Sequence, residues 1–167
     1  MARDPAGIGS VAPSGSALAK LMTRDIPAKA RVLELGPGSG SVTEFILKRL
    51  DHPSRLTLIE ADHEMHGICS SKFPGVTVQH GDVEDFLCAD HMTYDFIISG
   101  IPFAAMDKAK RGRVFILIRD HLADGGAYIM FQYSTTTQGE LKCIFGSVKT
   151  AFTPLNIPPA FVFTCKK

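Results

Sequence analysis

The sequence lacks the features that mark membrane-spanning, secreted and nucleic-acid-binding proteins. No apolar run reaches the length of a bilayer span and no signal peptide is recognisable, so we expect a cytoplasmic protein. The formal net charge is +1, whereas dedicated nucleic-acid binders carry a large basic excess, which argues against a nucleic-acid partner. The four cysteines have no C-x-x-C spacing and the six histidines no metal-ligand spacing. We therefore expect reduced thiols and no metal site.

The length and the pattern of apolar segments predict one α/β domain. A chain of 167 residues can build one substantial core, and we expect a single domain over residues 1–167 whose first 13 residues are irregular. Strands are predicted at 29–35, 55–61, 76–80, 94–99, 127–133, 150–156 and 160–166. Helices are predicted at 17–22, 41–50, 62–72, 104–122 and 138–148, and a short helix or a turn at 82–88. This alternation indicates a doubly wound, mostly parallel sheet with helices on both faces and an antiparallel hairpin at one edge.

A glycine-rich turn follows the first predicted strand. Gly36, Gly38 and Gly40 alternate with other residues, and helical periodicity begins directly afterwards. Dinucleotide binders use G-x-G-x-x-G, but Ser41 stands where that pattern has its third glycine. Glu34, two residues before Gly36, would repel a pyrophosphate and would suit a cationic ligand. The turn therefore favours a ligand other than a nicotinamide dinucleotide.

The pattern apolar-apolar-Glu-x-Gly-x-Gly-x-Gly resembles motif I of the class I S-adenosylmethionine-dependent methyltransferases. This resemblance implies a Rossmann-like sheet of seven strands with the last one antiparallel. It implies S-adenosylmethionine as the cofactor and S-adenosylhomocysteine as the product. It also places Glu34 near the methionine end of the cofactor, with Gly36, Gly38 and Gly40 beneath it.

The ends of the second and third predicted strands carry two further acidic residues. Glu60, with the adjoining Ala61, is placed to accept the ribose hydroxyls of an adenosyl group, and the alternative is a solvated acid or a helix cap. Asp82 lies where the resembled family accepts the adenine amino group, and the backbone N–H of Val83 would meet a ring nitrogen. Capping of the next helix is the alternative role for Asp82.

The fourth predicted strand ends in Ser99-Gly100-Ile101-Pro102-Phe103. Adenine and glutamine amine methyltransferases carry an Asn/Asp-Pro-Pro-Tyr type motif at this place. Gly100 occupies the position of the side-chain acceptor, so orientation of a substrate amine falls to backbone carbonyls, Ser99 and Tyr133. We expect Ser99 also to contact the cofactor, and Phe103 to stack on the substrate.

Three segments resemble a narrower family, the bacterial phospholipid N-methyltransferases. They are Gly9-Ser10-Val11-Ala12-Pro13-Ser14, the segment 99–103, and Leu155-Asn156-Ile157-Pro158-Pro159-Ala160. The resemblance implies phosphatidylethanolamine as the methyl acceptor, and substrate contacts at Ser14, Ile101, Pro102, Phe103 and Tyr133. That family begins with an amphipathic helix that binds the bilayer surface, and the sequence does not contain one. The expectation is either a truncated chain or a relative that acts on a soluble amine.

A basic cluster at Lys108, Lys110, Arg111 and Arg113 could contact anionic lipid headgroups at the membrane periphery, and a solvated helix face is the alternative. Three other functions stay open. They are an rRNA adenine dimethylase, a methyltransferase of small soluble amines, and an adenosyl-binding module without catalysis. Gly100 and the near-neutral charge argue against the first.

Overall fold

Seven strands of the described chain, residues 15–167 of a computed structural model, form one mixed sheet. The strands are β1 Val32–Leu35, β2 Leu56–Glu60, β3 Thr77–His80, β4 Tyr94–Ser99, β5 Leu122–Gln132, β6 Ser147–Thr153 and β7 Ala160–Lys166. Their order across the sheet is β3-β2-β1-β4-β5-β7-β6. Strands β1 to β5 pair in parallel, while β7 pairs antiparallel with both β5 and β6. The predicted doubly wound, Rossmann-like architecture with an antiparallel edge hairpin is confirmed.

Six α-helices of the described chain cover both faces of the sheet. They are α1 Ser16–Thr23, α2 Thr43–Leu47, α3 His63–Lys72, α4 Val83–Ala89, α5 Lys108–Asp120 and α6 Gln138–Ile144. One apolar cluster packs α1, α2 and α3 against the sheet, and a second packs α4, α5 and α6 against the opposite face. Strand β1 is buried along its whole length because both clusters cover it. Within residues 15–167, no helix combines the length and apolarity that a membrane span requires.

The sheet order positions the functional edge. The chain leaves β1 toward β2 on one side, and later adds β4 on the other side, so the strand order reverses at β1. Ligands of such sheets bind outside the carboxyl ends of the strands, at the place where the order reverses. The loops that follow β1 to β5, and the turn between β6 and β7, all lie along this carboxyl edge.

Helix and strand boundaries differ from the predicted ones around α5, at α2, which is shorter at both ends than the predicted 41–50, and at α6, which ends at Ile144 rather than at residue 148. A single turn of 3-10 helix at Phe103–Ala105 replaces the predicted start of the long helix, and α5 begins at Lys108. The Asp107 side chain sets this boundary, because it accepts a hydrogen bond from the backbone N–H of Lys110 at 2.9 Å. Strand β5 begins five residues earlier than predicted, at Leu122, and β6 begins at Ser147 rather than at residue 150.

Candidate functional site

The glycine loop (residues 36–42) joins β1 to α2 at the carboxyl edge. Gly36, Gly38 and Gly40 all have positive φ angles, of 68°, 55° and 82°. Side chains from α3 hold the loop from below, since the Cys69 thiol donates to the Gly38 carbonyl at 3.2 Å and the Lys72 ammonium donates to the Ser39 carbonyl at 3.2 Å. A Cβ at position 38 would meet no described atom within 4 Å. The upper side of the loop is therefore a cradle open to a ligand.

Glu34 lies beneath this cradle and is almost completely buried, at 2% exposure. Its carboxyl accepts a hydrogen bond of 2.7 Å from the hydroxyl of Thr43, the first residue of α2. Burial raises the pKa of Glu34 to about 8. The Thr43 hydrogen bond opposes that rise and the charge of Glu60 adds to it. A cation placed nearby would favour the charged form of this acid, as the sequence predicted for a cationic ligand.

Glu60 ends β2 and fastens the glycine loop. One carboxylate oxygen accepts from the backbone N–H of Gly38 at 2.9 Å, and the other accepts from the backbone N–H of Asp62 at 2.9 Å. Each carboxylate oxygen has two lone pairs, so both can accept one more donor. The Glu60 carboxylate can therefore still accept hydrogen bonds from ribose hydroxyls, which is its predicted role. The adjoining Ala61 is exposed, and its carbonyl lies 3.0 Å from Nε2 of His80.

Asp82 caps α4 and carries an ion pair that the sequence did not reveal. One carboxylate oxygen accepts from the backbone N–H of Glu84 at 2.8 Å, and the other lies 2.7 Å from the ammonium of Lys110. Burial works against the charged form, but the Lys110 and Glu84 hydrogen bonds outweigh it and hold the pKa of Asp82 below its usual value. Val83 follows as the first residue of α4, and the first N–H groups of a helix have no partner within it. The roles of Asp82 and Val83 toward adenine stay predictions.

The loop after β4 lies directly against the glycine loop. A Cβ at Gly100 would come within 2.7 Å of the Gly36 carbonyl oxygen, and a Cβ at Gly36 would come within 2.9 Å of the Ile101 side chain. Glycine at position 100 is therefore required by this close approach of two backbones. The Ser99 side chain is fully buried, and its hydroxyl accepts from the Ile101 N–H at 3.1 Å. That hydrogen bond closes the turn, so Ser99 has a structural function in the loop. Its predicted contacts with the cofactor and the substrate amine stay predictions.

The predicted stacking role of Phe103 is wrong for this structure. Its ring is fully buried and packs against Phe115, with ring centroids 4.8 Å apart, so no substrate can stack on it. Pro102 is exposed beside it, and Ile101 is half-buried. Tyr133 follows β5 at the same edge, is 40% exposed and touches the Phe131 ring edge-on. Among the predicted orienting side chains, Tyr133 is the one that reaches the surface.

Gln132 was missed by the sequence reasoning. Its buried side chain donates to the Ile101 carbonyl at 3.0 Å and accepts from the Ala104 N–H at 3.3 Å, so it holds the β4 loop in place. The available signal was its position, because it is a polar residue at the carboxyl end of an apolar strand. Ser14, predicted to contact the substrate, lies outside the described residues.

The basic cluster of α5 is mostly neutralised by carboxylates. Lys110 pairs with Asp82, Arg113 with Glu84 and Arg111 with Glu140. Arg111 also donates to the carbonyls of Phe103 and Met106 at 3.1 and 3.2 Å, so it anchors the β4 loop. The cluster is therefore a structural ion-pair network rather than a free basic surface. Residues 15–167 contain no group of three or more His, Cys, Asp or Glu side chains placed to hold a metal ion.

The sheet order, the glycine loop and the acids at β1 and β2 together define the class I S-adenosylmethionine-dependent methyltransferases. A model of the family described as "Methyltransferase domain" matches residues 32–126, from β1 into β5. The chain therefore belongs to the methyltransferase domain family and is an S-adenosylmethionine-dependent methyltransferase. Its cofactor is S-adenosylmethionine, as the sequence predicted. The open cradle above Gly38 and the spare acceptor capacity of Glu60 fit this cofactor.

The known proteins to which this chain is similar are also named as methyltransferases. An ornithine lipid N-methyltransferase from Singulisphaera acidiphila is 29% identical over 169 aligned positions, which cover 95% of this chain and 88% of the relative. The crystal structure of the N-methyltransferase NodS from Bradyrhizobium japonicum has a TM-score of 0.73 at 14% identity, covering 91% of this chain and 94% of NodS. The S-adenosylmethionine-bound amino pentose methyltransferase CalS10 from Micromonospora echinaspora has a TM-score of 0.66 at 15% identity, covering 90% and 88%. The two structures share the fold.

Proposed function

We propose that this enzyme methylates the amine of a membrane lipid, with phosphatidylethanolamine or a related phospholipid as the acceptor. The observation that carries the proposal is the 29% identity, spread over 95% of the chain, to an enzyme named for methylating ornithine lipid. The resemblance of segments 99–103 and 155–160 to phospholipid N-methyltransferases supports the same substrate class. Both indications concern a primary amine carried on a lipid.

The glycine loop and its acids form the cofactor side of the proposed site. When bound, S-adenosylmethionine supplies a methyl group on a positively charged sulfur, which a lone pair can displace. Glu60 supplies a carboxylate near such a cation and fixes the backbone of Gly38, while the cation would favour the charged form of the buried Glu34. Asp82 lies one strand further along the same edge, held by Lys110. The protein thus positions and desolvates the reacting groups.

The acceptor side suits an amine that must lose a proton before it reacts. Segment 99–106, which lies against the glycine loop, and segment 133–138, which follows the neighbouring strand β5, contain no charged residue of their own. An ammonium ion would find no carboxylate partner in these segments, which favours the neutral amine. The ammonium would first lose a proton to water, directly or relayed by the Tyr133 hydroxyl. The nitrogen lone pair would then form a bond to the methyl carbon as the carbon–sulfur bond breaks, and the methylated ammonium would release a second proton to water. Backbone carbonyls near Gly100 can accept the hydrogens of the amine.

The proposal is tested by offering labelled S-adenosylmethionine with three acceptors in parallel. They are vesicles containing phosphatidylethanolamine, soluble amines such as ethanolamine, and ribosomal RNA. We expect label in the lipid alone, and a Tyr133→Phe variant with slower methyl transfer at unchanged cofactor affinity. Label in RNA or in soluble amines alone would contradict the lipid assignment. Absence of label from every acceptor, with the cofactor bound, would indicate a binding module.

A further inference from the structure

Three exposed apolar side chains cluster at the β6–β7 turn (residues 154–159) and the strand end before it. Leu155 is 78% exposed, Ile157 is 89% exposed and Phe152 is 56% exposed. Among the large apolar residues described, these are the three with the highest exposure, and six consecutive positions contain them all. Single exposed apolar residues are ordinary, but a group at one protruding turn marks an interaction surface.

The turn holds this shape through polar contacts and not through burial of its apolar side chains. Asn156, between Leu155 and Ile157, is 3% exposed. Its side-chain amide donates to the Pro158 carbonyl at 2.7 Å, and its side-chain oxygen accepts from the Gly15 N–H at 3.0 Å. The inward-pointing Asn156 therefore fixes the turn, while its two neighbours project into solvent.

The β6–β7 turn lies on the same edge as the proposed site. Strand β6 runs parallel to β5, because both are antiparallel to β7, so the turn is at the carboxyl edge. Phe161, just after the turn, pairs with Gln132, whose side chain binds the Ile101 carbonyl. The exposed apolar group is therefore close in the sheet to the loop that flanks the acceptor side.

We infer that the β6–β7 turn inserts Leu155 and Ile157 into the surface of an anionic lipid bilayer and so brings the lipid amine to the site. This inference rests on the proposed function. Residues 150–165 carry no charge, which suits an apolar environment. Two or three side chains are too few for a protein interface, which buries about 800 Å² on each partner. Lys108, at the same edge, forms no ion pair with any described residue and can meet an anionic headgroup.

Tryptophan fluorescence tests the insertion directly, because the natural sequence contains no tryptophan. Ile157→Trp places a single reporter at the turn. Met92→Trp is its matched control, since Met92 is 46% exposed in the loop before β4, at the opposite edge of the sheet. With vesicles of phosphatidylethanolamine and phosphatidylglycerol, we expect a blue shift and quenching by brominated lipid for Ile157→Trp alone. An unchanged Ile157→Trp spectrum, or equal changes in both variants, would overturn the inference.

A double variant separates this inference from the proposed function. Leu155→Ser with Ile157→Ser should bind the same vesicles about tenfold or more weakly, and should methylate vesicle lipid correspondingly slowly. It should methylate dispersed dihexanoyl phosphatidylethanolamine at the natural rate, because that substrate needs no bilayer contact. If the double variant binds vesicles as strongly as the natural protein does, the insertion is overturned and the proposed function is unaffected. If the double variant binds vesicles more weakly, but the natural enzyme methylates no lipid, the insertion is supported and the proposed function is overturned. If the natural protein is a dimer and the double variant is a monomer, the turn contacts a second copy of the chain, and the insertion is again overturned.

Discussion

Replacement of Glu34 by glutamine tests whether the acid beneath the glycine loop is as enclosed as the structure shows. Burial, opposed by the Thr43 hydrogen bond and reinforced by Glu60, raises the pKa of Glu34 from 4.5 to about 8. The folded chain therefore holds this proton more tightly than the unfolded chain does. Between those two pKa values the free energy of unfolding falls as pH rises. Glutamine keeps the shape and the Thr43 hydrogen bond but has no proton to lose.

The magnitude follows from the size of the pKa shift. Each pH unit between the two pKa values removes about 1.4 kcal/mol of stability, so the loss from about pH 5.5 to about pH 7.5 is about 2.5 kcal/mol. The other titrating groups are common to both proteins and cancel in the comparison. Hence the stability of the natural protein minus that of Glu34→Gln should decrease by about 2.5 kcal/mol over this range.

Urea unfolding followed by circular dichroism, at both pH values, measures this difference. Glu64→Gln serves as the control, because it makes the same chemical substitution at a carboxyl that is exposed in the first turn of α3. We expect the control to show no such pH dependence relative to the natural protein. A difference between the natural protein and Glu34→Gln that stays constant with pH would refute the burial argument for Glu34.

Two further substitutions test the loop after β4. Gly100→Ala should destabilise the fold by about 1–3 kcal/mol and weaken cofactor binding, because its Cβ would crowd the Gly36 carbonyl oxygen. Gly112→Ala, in α5 with open space around its Cβ, should instead be neutral or stabilising by up to about 1 kcal/mol, and thermal unfolding compares the two. Arg111→Lys should lower stability by about 2 kcal/mol, because a lysine cannot keep the paired contacts to Glu140 together with those to two backbone carbonyls. Equal urea midpoints for Arg111→Lys and the natural protein would show that the anchor is dispensable.

Much of the fold could be predicted because its signals are local. A helix was predicted at residues 62–72, and α3 forms there, with the Asp62 side chain capping it by accepting from the backbone N–H of Met65 at 2.9 Å. A strand was predicted at residues 94–99, and the structure places β4 there, between β1 and β5 and covered on both faces. The spacing of Gly36, Gly38 and Gly40 identified the loop that the sheet order then placed at its reversal point.

The parts of the site that could not be predicted depend on contacts between distant segments. Lys110 and Asp82 are 28 residues apart, and no local pattern couples them, so Lys110 was interpreted as a surface charge. The burial of Phe103 depends on the packing of α5 through Phe115, which a motif on a loop does not report. Glycine at position 100 was interpreted as the loss of an acceptor, whereas the approach of Gly36 supplies a steric reason for it.

The central claim is that S-adenosylmethionine lies in the cradle above Gly38, and calorimetric titration of two matched variants tests it most directly. Gly38→Asp and Gly125→Asp introduce the same side chain at glycines with positive φ and open space around their Cβ positions, but at opposite edges of the sheet. We expect the natural protein and Gly125→Asp to bind S-adenosylmethionine with the same affinity, and Gly38→Asp to bind it at least about 100-fold more weakly. Equal affinity in Gly38→Asp and Gly125→Asp, or no binding to the natural protein, would contradict the central claim.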